Sequence, residues 1–251
     1  MKEEFYKKVS SINRTITRSL GLFAGVVAGI LLTINLKYSL LGPLFFLGII
    51  IFLFLPIKIS STTYTGKSGF KKGLIEGINY IRKNKVLTQF IILTMGNLFF
   101  NMQGLLLLFY VEDFLHKGPI FFSMLGIASE AGIILGSVYA PKIKKGKIGF
   151  YHVLFGTFIS ISLVSYIVIH NVFLAIVPTF IIFFFSGINS VLTSSVLLRV
   201  IDKEYMGRVR GTISAISNGL VTFSGPLAGV LVATIGIGQT YLLVGLNPSS
   251  C

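Results

Sequence analysis

Long apolar blocks, broken by short clusters of lysine and arginine, set the rhythm of this chain. Seven blocks, at roughly 15–34, 38–57, 86–109, 119–140, 148–169, 172–198 and 211–236, are rich in apolar residues and poor in charge. Each is about 20 residues, long enough for a helix to cross a bilayer. The runs are continuous rather than alternating and about twice the length of a barrel strand, which predicts helices and not a β-barrel. The seventh block is the most diluted, by Ser214, Ser217, Asn218, Thr222 and Ser224, and the tail TYLLVGLNPSSC starts like an eighth but stops too soon to cross. Between the second and third blocks, GFKKGLIEGINYIRKNK sets Phe70, Leu74, Ile78 and Ile81 at about helical spacing with basic residues opposite. That pattern predicts an amphipathic helix lying along the cytoplasmic membrane surface with its apolar stripe toward lipid, where basic residues meet anionic headgroups.

Composition agrees with this pattern. Hydrophobic residues make up 53% of the 251 residues and charged ones 12%, and mean hydropathy is +0.85. A soluble domain carries about 25% charged residues, so this is the composition of an integral, all-α membrane protein with the lipid bilayer as its partner. No short apolar region precedes a small-residue cleavage site, so the first span directs insertion itself. A net charge of +14 would in a soluble chain suggest nucleic acid, but its distribution argues otherwise. Five basic residues precede or open the first span (Lys2, Lys7, Lys8, Arg14, Arg18), and seven lie in the second loop from Lys58 to Lys85. Lys142, Lys144, Lys145 and Lys147 fill the fourth loop and Arg199, Lys203, Arg208 and Arg210 the sixth, while the alternate loops hold only Lys37 and Lys117. Twenty of the 22 basic residues thus fall on one side, which predicts a multi-pass protein of the cell membrane with a cytoplasmic N-terminus and no nucleic-acid partner.

Little points to catalysis. The lone Cys251 can form no intrachain disulfide, and His116, His152 and His170 are far apart, so no metal site and no cofactor is expected. TGKS (65–68) mimics a phosphate loop, yet Ser61 occupies the first glycine's place and no strand precedes it. No serine, histidine and acid constellation suggests an enzyme, and no catalytic residue is assigned.

One pattern is written twice. Gly21, Gly25 and Gly29 in the first span are matched by Gly225, Gly229 and Ala233 in the seventh, 204 residues later. A repeat at a period of six spans fits transporters built from two six-helix halves, where small residues four apart let helices pack closely.

Three stretches carry a resemblance. GLIEGINYIRKNKVLTQFIILTMGNLFF, FYVEDFLHKGPIFFSMLGIASEAGIILGS and KEYMGRVRGTISAISNGLVTFSGPLAGVL together resemble the major facilitator superfamily, and within it the macrolide-efflux and enterobactin-exporter-like branch. The resemblance implies a partial twelve-helix bundle with about seven transmembrane helices present, matching the fifth to the eleventh. On that reading residues 1–59 hold the last two helices of the N-terminal bundle, 60–85 a cytoplasmic linker, and 86–251 a C-terminal bundle lacking its final helix. GSVYAPKIKKGKIG is similar to the superfamily's Gly-x-x-x-Asp-Arg loop, with Gly136 first, but Ala140 stands where the acid would be, so no gating salt bridge is assigned. Of the branch's Arg-Gly-Arg-Val pattern before the eleventh helix, only Gly207 and Arg208 carry over.

The resemblance implies a secondary active transporter, driven by an ion gradient, most simply protons, and exporting small amphiphilic molecules such as drugs or siderophores. A non-transporting remnant, or a membrane interaction or immunity protein on the same fold, is the alternative. If this chain is the whole expressed polypeptide, the remaining helices of the bundle are expected as partners, without which no transport is expected.

Within the spans, polar residues are the candidates for function. Glu130 is the only acid well inside a span, where a charge costs about 2.5–3.5 kcal/mol to insert. It is either a proton-coupling carboxyl facing the cavity, or an acid bonded between helices or reaching a watery vestibule. Ala128, Gly132 and Gly136 form a small-residue stripe from which Glu130 points about 200° away. Thr94, Asn97 and Asn101, with Gln103 off their line, and Ser186, Asn189 and Thr193 each mark one helical face that either lines a substrate cavity or bonds to neighbouring helices. The surrounding Phe99, Phe100 and Phe183 to Phe185 suit apolar cargo and lipid equally. In the resembled fold the Gly21/Gly25/Gly29 face meets the Ala128/Gly132/Gly136 face, and Gly225, Gly229 and Ala233 meet the second helix of the full bundle.

Overall fold

The computed structural model describes residues 8–13, 15–19, 48, 70–143, 148–202 and 204–246, and every regular element among them is helical. After the helical residues 8–13 and 15–19 come α1 (Phe70–Lys83), α2 (Lys85–Asn101) and α3 (Gln103–Phe109), which continues as a π-helical turn, Tyr110–Phe114. They are followed by α4 (Pro119–Tyr139), α5 (Ile148–Ser165), α6 (Val172–Val200), α7 (Met206–Ile235) and α8 (Ile237–Gly245).

Local chemistry explains where the helices break. Asn84 separates α1 from α2, and its side-chain oxygen accepts from the amides of Val86 at 3.0 Å and Leu87 at 3.4 Å. Extended Gly118 followed by Pro119 opens α4, proline's fixed φ suiting the first helical position. Asn171 caps α6 by accepting from Phe173 N at 2.8 Å. Gly236, at φ +80°, turns the chain from α7 into α8 in a conformation that a side chain would disfavour.

Among the described residues, three helices are long and apolar enough to cross a membrane, by length and composition: Ile120–Lys142, Val172–Val200 and Met206–Ile235. The block expected as one span over 86–109 is divided at Met102 into α2 and α3, and that expected over 148–169 ends as helix at Ser165, where Tyr166 turns inward. The first two blocks lie outside the described residues except for 15–19 and 48. Two starts come earlier than the hydropathy pattern predicts. Helical residues begin before 15, and α7 begins at Met206 rather than 211. In both places the first turns carry polar residues that find partners on another helix, as described below.

The core gathers around α6. Phe121 meets Phe173 near the starts of α4 and α6, and Tyr139 meets Phe184 farther along, so these helices run parallel. On the far side of α6, Phe155 and Phe158 of α5 stack on Phe185. Tyr110, Tyr166 and Tyr241 form a buried cluster with centroids 4.9, 5.0 and 6.1 Å apart, tying the π-helical turn, the end of α5 and α8 together. Tyr166 bonds Thr179 of α6 at 2.7 Å, and Tyr110 donates to the Ile169 carbonyl at 2.6 Å. A second cluster (Ile81, Leu87, Leu197, Ile201, Val209 and Ile213) joins α1 and α2 to α6 and α7. Between membrane helices such fit, rather than expulsion of water, is what holds elements together.

Candidate functional site

α4 presents two unlike sides. Gly132 and Gly136 lie against α6 so closely that a Cβ on Gly132 would stand 2.7 Å from the Phe180 carbonyl, and one on Gly136 would overlap that of Phe184. Gly187 of α6 reciprocates, since its Cβ would come within 2.6 Å of the Ile133 carbonyl. Ala128, 9% exposed, continues the stripe. Its close partner among the described residues is therefore α6, whereas the first span's glycines were expected there; Gly21, Gly25 and Gly29 themselves lie outside the described residues. On α7, a Cβ at Gly225 or Gly229 would meet nothing within 4 Å, and Ala233 is exposed.

Glu130 leaves α4 toward the N-terminal helical residues. Its Oε1 accepts from Arg18 Nη1 at 3.1 Å, with side-chain exposures of 26% and 39%. Glu130 is nine residues from Tyr139 and eleven from Pro119, or about 14 and 17 Å along the axis, so the pair sits midway along the helix. Toward the end of α4, Ser11 Oγ donates to the Ser137 carbonyl at 2.5 Å. This corrects the charge count, which assigned Arg18 to the cytoplasmic segment. Arg18 falls inside the first apolar block, and a charge there requires a partner; that was the signal available in the sequence.

The other polar candidates lie on α2, α3 and α6, and those on α2 are described only in part. Thr94 and Asn97 belong to α2, but their side chains lie outside the described part of the molecule. Asn101 is exposed at the end of α2, while Gln103, at the start of α3, is 1% exposed with both amide atoms lacking a hydrogen-bond partner among the described residues. Ser186, Asn189 and Thr193 are half-buried on α6, and Asn189 Oδ1 is buried without such a partner. Phe100 meets Phe183 edge-on at 6.0 Å, which brings the end of α2 beside this stretch of α6.

At the basic end, sequence reasoning missed a joint. Arg208, beside exposed Gly207 in the first turn of α7, forms an ion pair with Glu76 of α1. Tyr80 Oη donates to the Asp202 carboxylate at 2.9 Å and accepts from the Asp202 amide at 3.2 Å, and its ring stacks on Tyr205 at 4.6 Å. The amide of Asp202 pulls the Tyr80 phenol's pKa down, but burial and the Asp202 carboxylate outweigh it, and the net shift is upward. Gly77 fits against Thr212, and Ile81 is 3% exposed. Part of the α1 stripe expected to face lipid therefore faces α7 and α2 instead.

Among the described residues no group of three or more His, Cys, Asp or Glu side chains is placed to hold a metal ion. Compared with known proteins, residues 3–244 match the family model described as Major Facilitator Superfamily. No curated protein and no solved structure matches the chain.

Proposed function

The chain belongs to the major facilitator superfamily, whose members are transporters, and on that premise we propose that it works as a proton-driven efflux protein for small amphiphilic molecules. The observation that carries the proposal is the ion pair midway along α4. An acid at that depth is costly, and Glu130 is held there by Arg18 at 3.1 Å. Ionised Glu130 keeps the N-terminal helical residues against α4; a proton on its carboxylate removes the attraction and frees the two elements to part. Alternating access then follows as one bundle rocks against the other, each proton that enters exchanging for one outward movement of cargo.

The remaining roles follow from this reading. Gln103 and Asn189, each with a buried polar atom that lacks a partner among the described residues, are cavity-lining groups for cargo, together with Thr94, Asn97, Asn101, Ser186 and Thr193. Seven spans, matching the fifth to eleventh helices of a twelve-helix bundle of the macrolide-efflux type, lie in the cell membrane. With Arg18 paired midway along α4, nineteen of the other 21 basic residues still fall in alternate segments, which supports a cytoplasmic N-terminus.

Everted membrane vesicles from cells expressing the gene test the proposal. Respiration acidifies their lumen, and vesicles carrying the protein are expected to accumulate cationic amphiphilic dyes above empty-vector vesicles. The accumulation is expected to collapse when nigericin dissipates the pH gradient. Accumulation that survives nigericin would overturn proton coupling, and a full dye panel at the empty-vector level would overturn efflux of this cargo class.

A further inference from the structure

The seam between helical residues 8–13 and 15–19 and α4 holds more polar atoms than partners for them among the described residues. On one side Ser11, Thr15 and Arg18 fall at i, i+4 and i+7, a single helical face; on the other, Glu130 and Ser137 are seven residues apart. The pairing is antiparallel, Ser11 meeting Ser137 at 2.5 Å and Arg18 meeting Glu130 at 3.1 Å. Those two contacts are about 10 Å apart along α4. Ser137 is 0% exposed, yet its Oγ has no hydrogen-bond partner among the described residues, and neither do the buried Thr15 Oγ1 and Glu130 Oε2.

Several serine and threonine hydroxyls elsewhere among the described residues are satisfied locally. Ser129, Ser165 and Ser195 bond the carbonyl three residues back, and Thr179 and Thr240 the one four back. Such back-bonding satisfies a helical hydroxyl locally. Three buried polar atoms without partners among the described residues on one seam are costly, unless water that makes two to four polar contacts joins them. Hydroxyls, the Ser137 carbonyl and a free carboxylate oxygen supply those contacts.

We infer that this seam is a water-bearing lane that carries protons from Glu130 to the basic end of α4, with Ser137 and Thr15 as positioning residues for its water. The inference rests on the reading of Glu130 as the coupling carboxyl. The neutral acid gives up its Oε2 proton to the nearest water of the lane, and each hop breaks one O–H bond and forms another. The last hop leaves a hydronium at the Ser137 end, and the carboxylate left at Glu130 pairs again with Arg18. Arg18 is the one cation within ion-pair distance of Glu130 among the described residues.

Two measurements test the lane. In a Cys251→Ser background, Ser137→Cys and Thr15→Cys are challenged in everted vesicles with Ag+, which reaches thiols in contact with water, and scored by loss of later maleimide labelling under denaturing conditions. Both are expected to react, while Ala128→Cys on the dry α4–α6 contact is not; a Ser137→Cys as inert as Ala128→Cys overturns the lane. Separately, Thr15→Val with Ser137→Ala is expected to slow gradient-driven transport by about tenfold or more and to leave downhill dye exchange unchanged. Wild-type gradient-driven rates in that variant, with transport abolished in Glu130→Gln, overturn the lane but leave the reading of Glu130 standing. Wild-type transport in Glu130→Gln overturns both, because the lane then has no terminus.

Discussion

Gly132, Gly136 and Gly187 each owe their place to the absence of one methyl group. The atoms a Cβ would strike are backbone carbonyls of the facing helix, which cannot swing aside as a side-chain tip can. Gly136→Ala is therefore expected to destabilise the α4–α6 contact by about 1–3 kcal/mol or more. Gly229→Ala, with nothing within 4 Å of its Cβ, is expected to be neutral or to stabilise α7 by up to about 1 kcal/mol, since alanine favours a helix. Thermal unfolding in detergent, followed by circular dichroism, separates the two; equal losses of stability would contradict the geometry. Residue by residue, the sequence was legible where composition and spacing coincide. The Ala128/Gly132/Gly136 stripe and Glu130 stand out in an apolar block. Gly187 does not, because Phe183 and Val191 flank it at i−4 and i+4 and no stripe forms. Arg18 was misplaced because hydropathy treats every charge as loop, and only the facing helix reveals its partner.

At the scale of elements, α1 is fastened to the start of α7 by polar contacts on one side and Ile81 on the other. The Glu76–Arg208 pair, the Tyr80–Asp202 bond and the Tyr80–Tyr205 stack act together, so losing two of them should matter more than losing one. Glu76→Gln with Tyr80→Phe is expected to speed tryptic cleavage at exposed Arg82 and Lys83 several-fold, and the exchanged pair Glu76→Arg with Arg208→Glu to cleave at nearly the wild-type rate. Unchanged cleavage in the first variant would show that the polar contacts do not hold α1. The pH dependence has a definite sign. Because the Tyr80 pKa is raised above its ordinary value of 10.0, the folded state favours the neutral phenol. That contribution is present at neutral pH and is lost as pH rises above 10 through the folded-state pKa, so wild-type cleavage should quicken there and Tyr80→Phe should lack the step. The amphipathic helix itself was legible from its spacing. Its docking was not, since an apolar stripe reads the same whether it meets lipid or another helix.

Over the whole molecule, an all-helical membrane fold followed from continuous apolar blocks, and the family from many loosely specified positions rather than one sharp motif. The number and ends of spans were less legible. Helix ends at Ser165 in one block, and polar first turns hide two starts, because interhelical partners let the chain keep polar residues that a hydropathy window excludes. The tail that looked too short to cross contains α8, whose buried Thr240, Tyr241 and Val244 pack it into the bundle. What joins these parts into a transporter is one assertion, that Glu130 couples the movement of protons to the movement of cargo. The most direct test follows the same dye in two regimes, uphill accumulation against a pH gradient and downhill exchange without one, in wild-type and Glu130→Gln vesicles of matched protein content. The account predicts that Glu130→Gln loses uphill accumulation and keeps downhill exchange. Uphill accumulation equal to wild type in Glu130→Gln would contradict it.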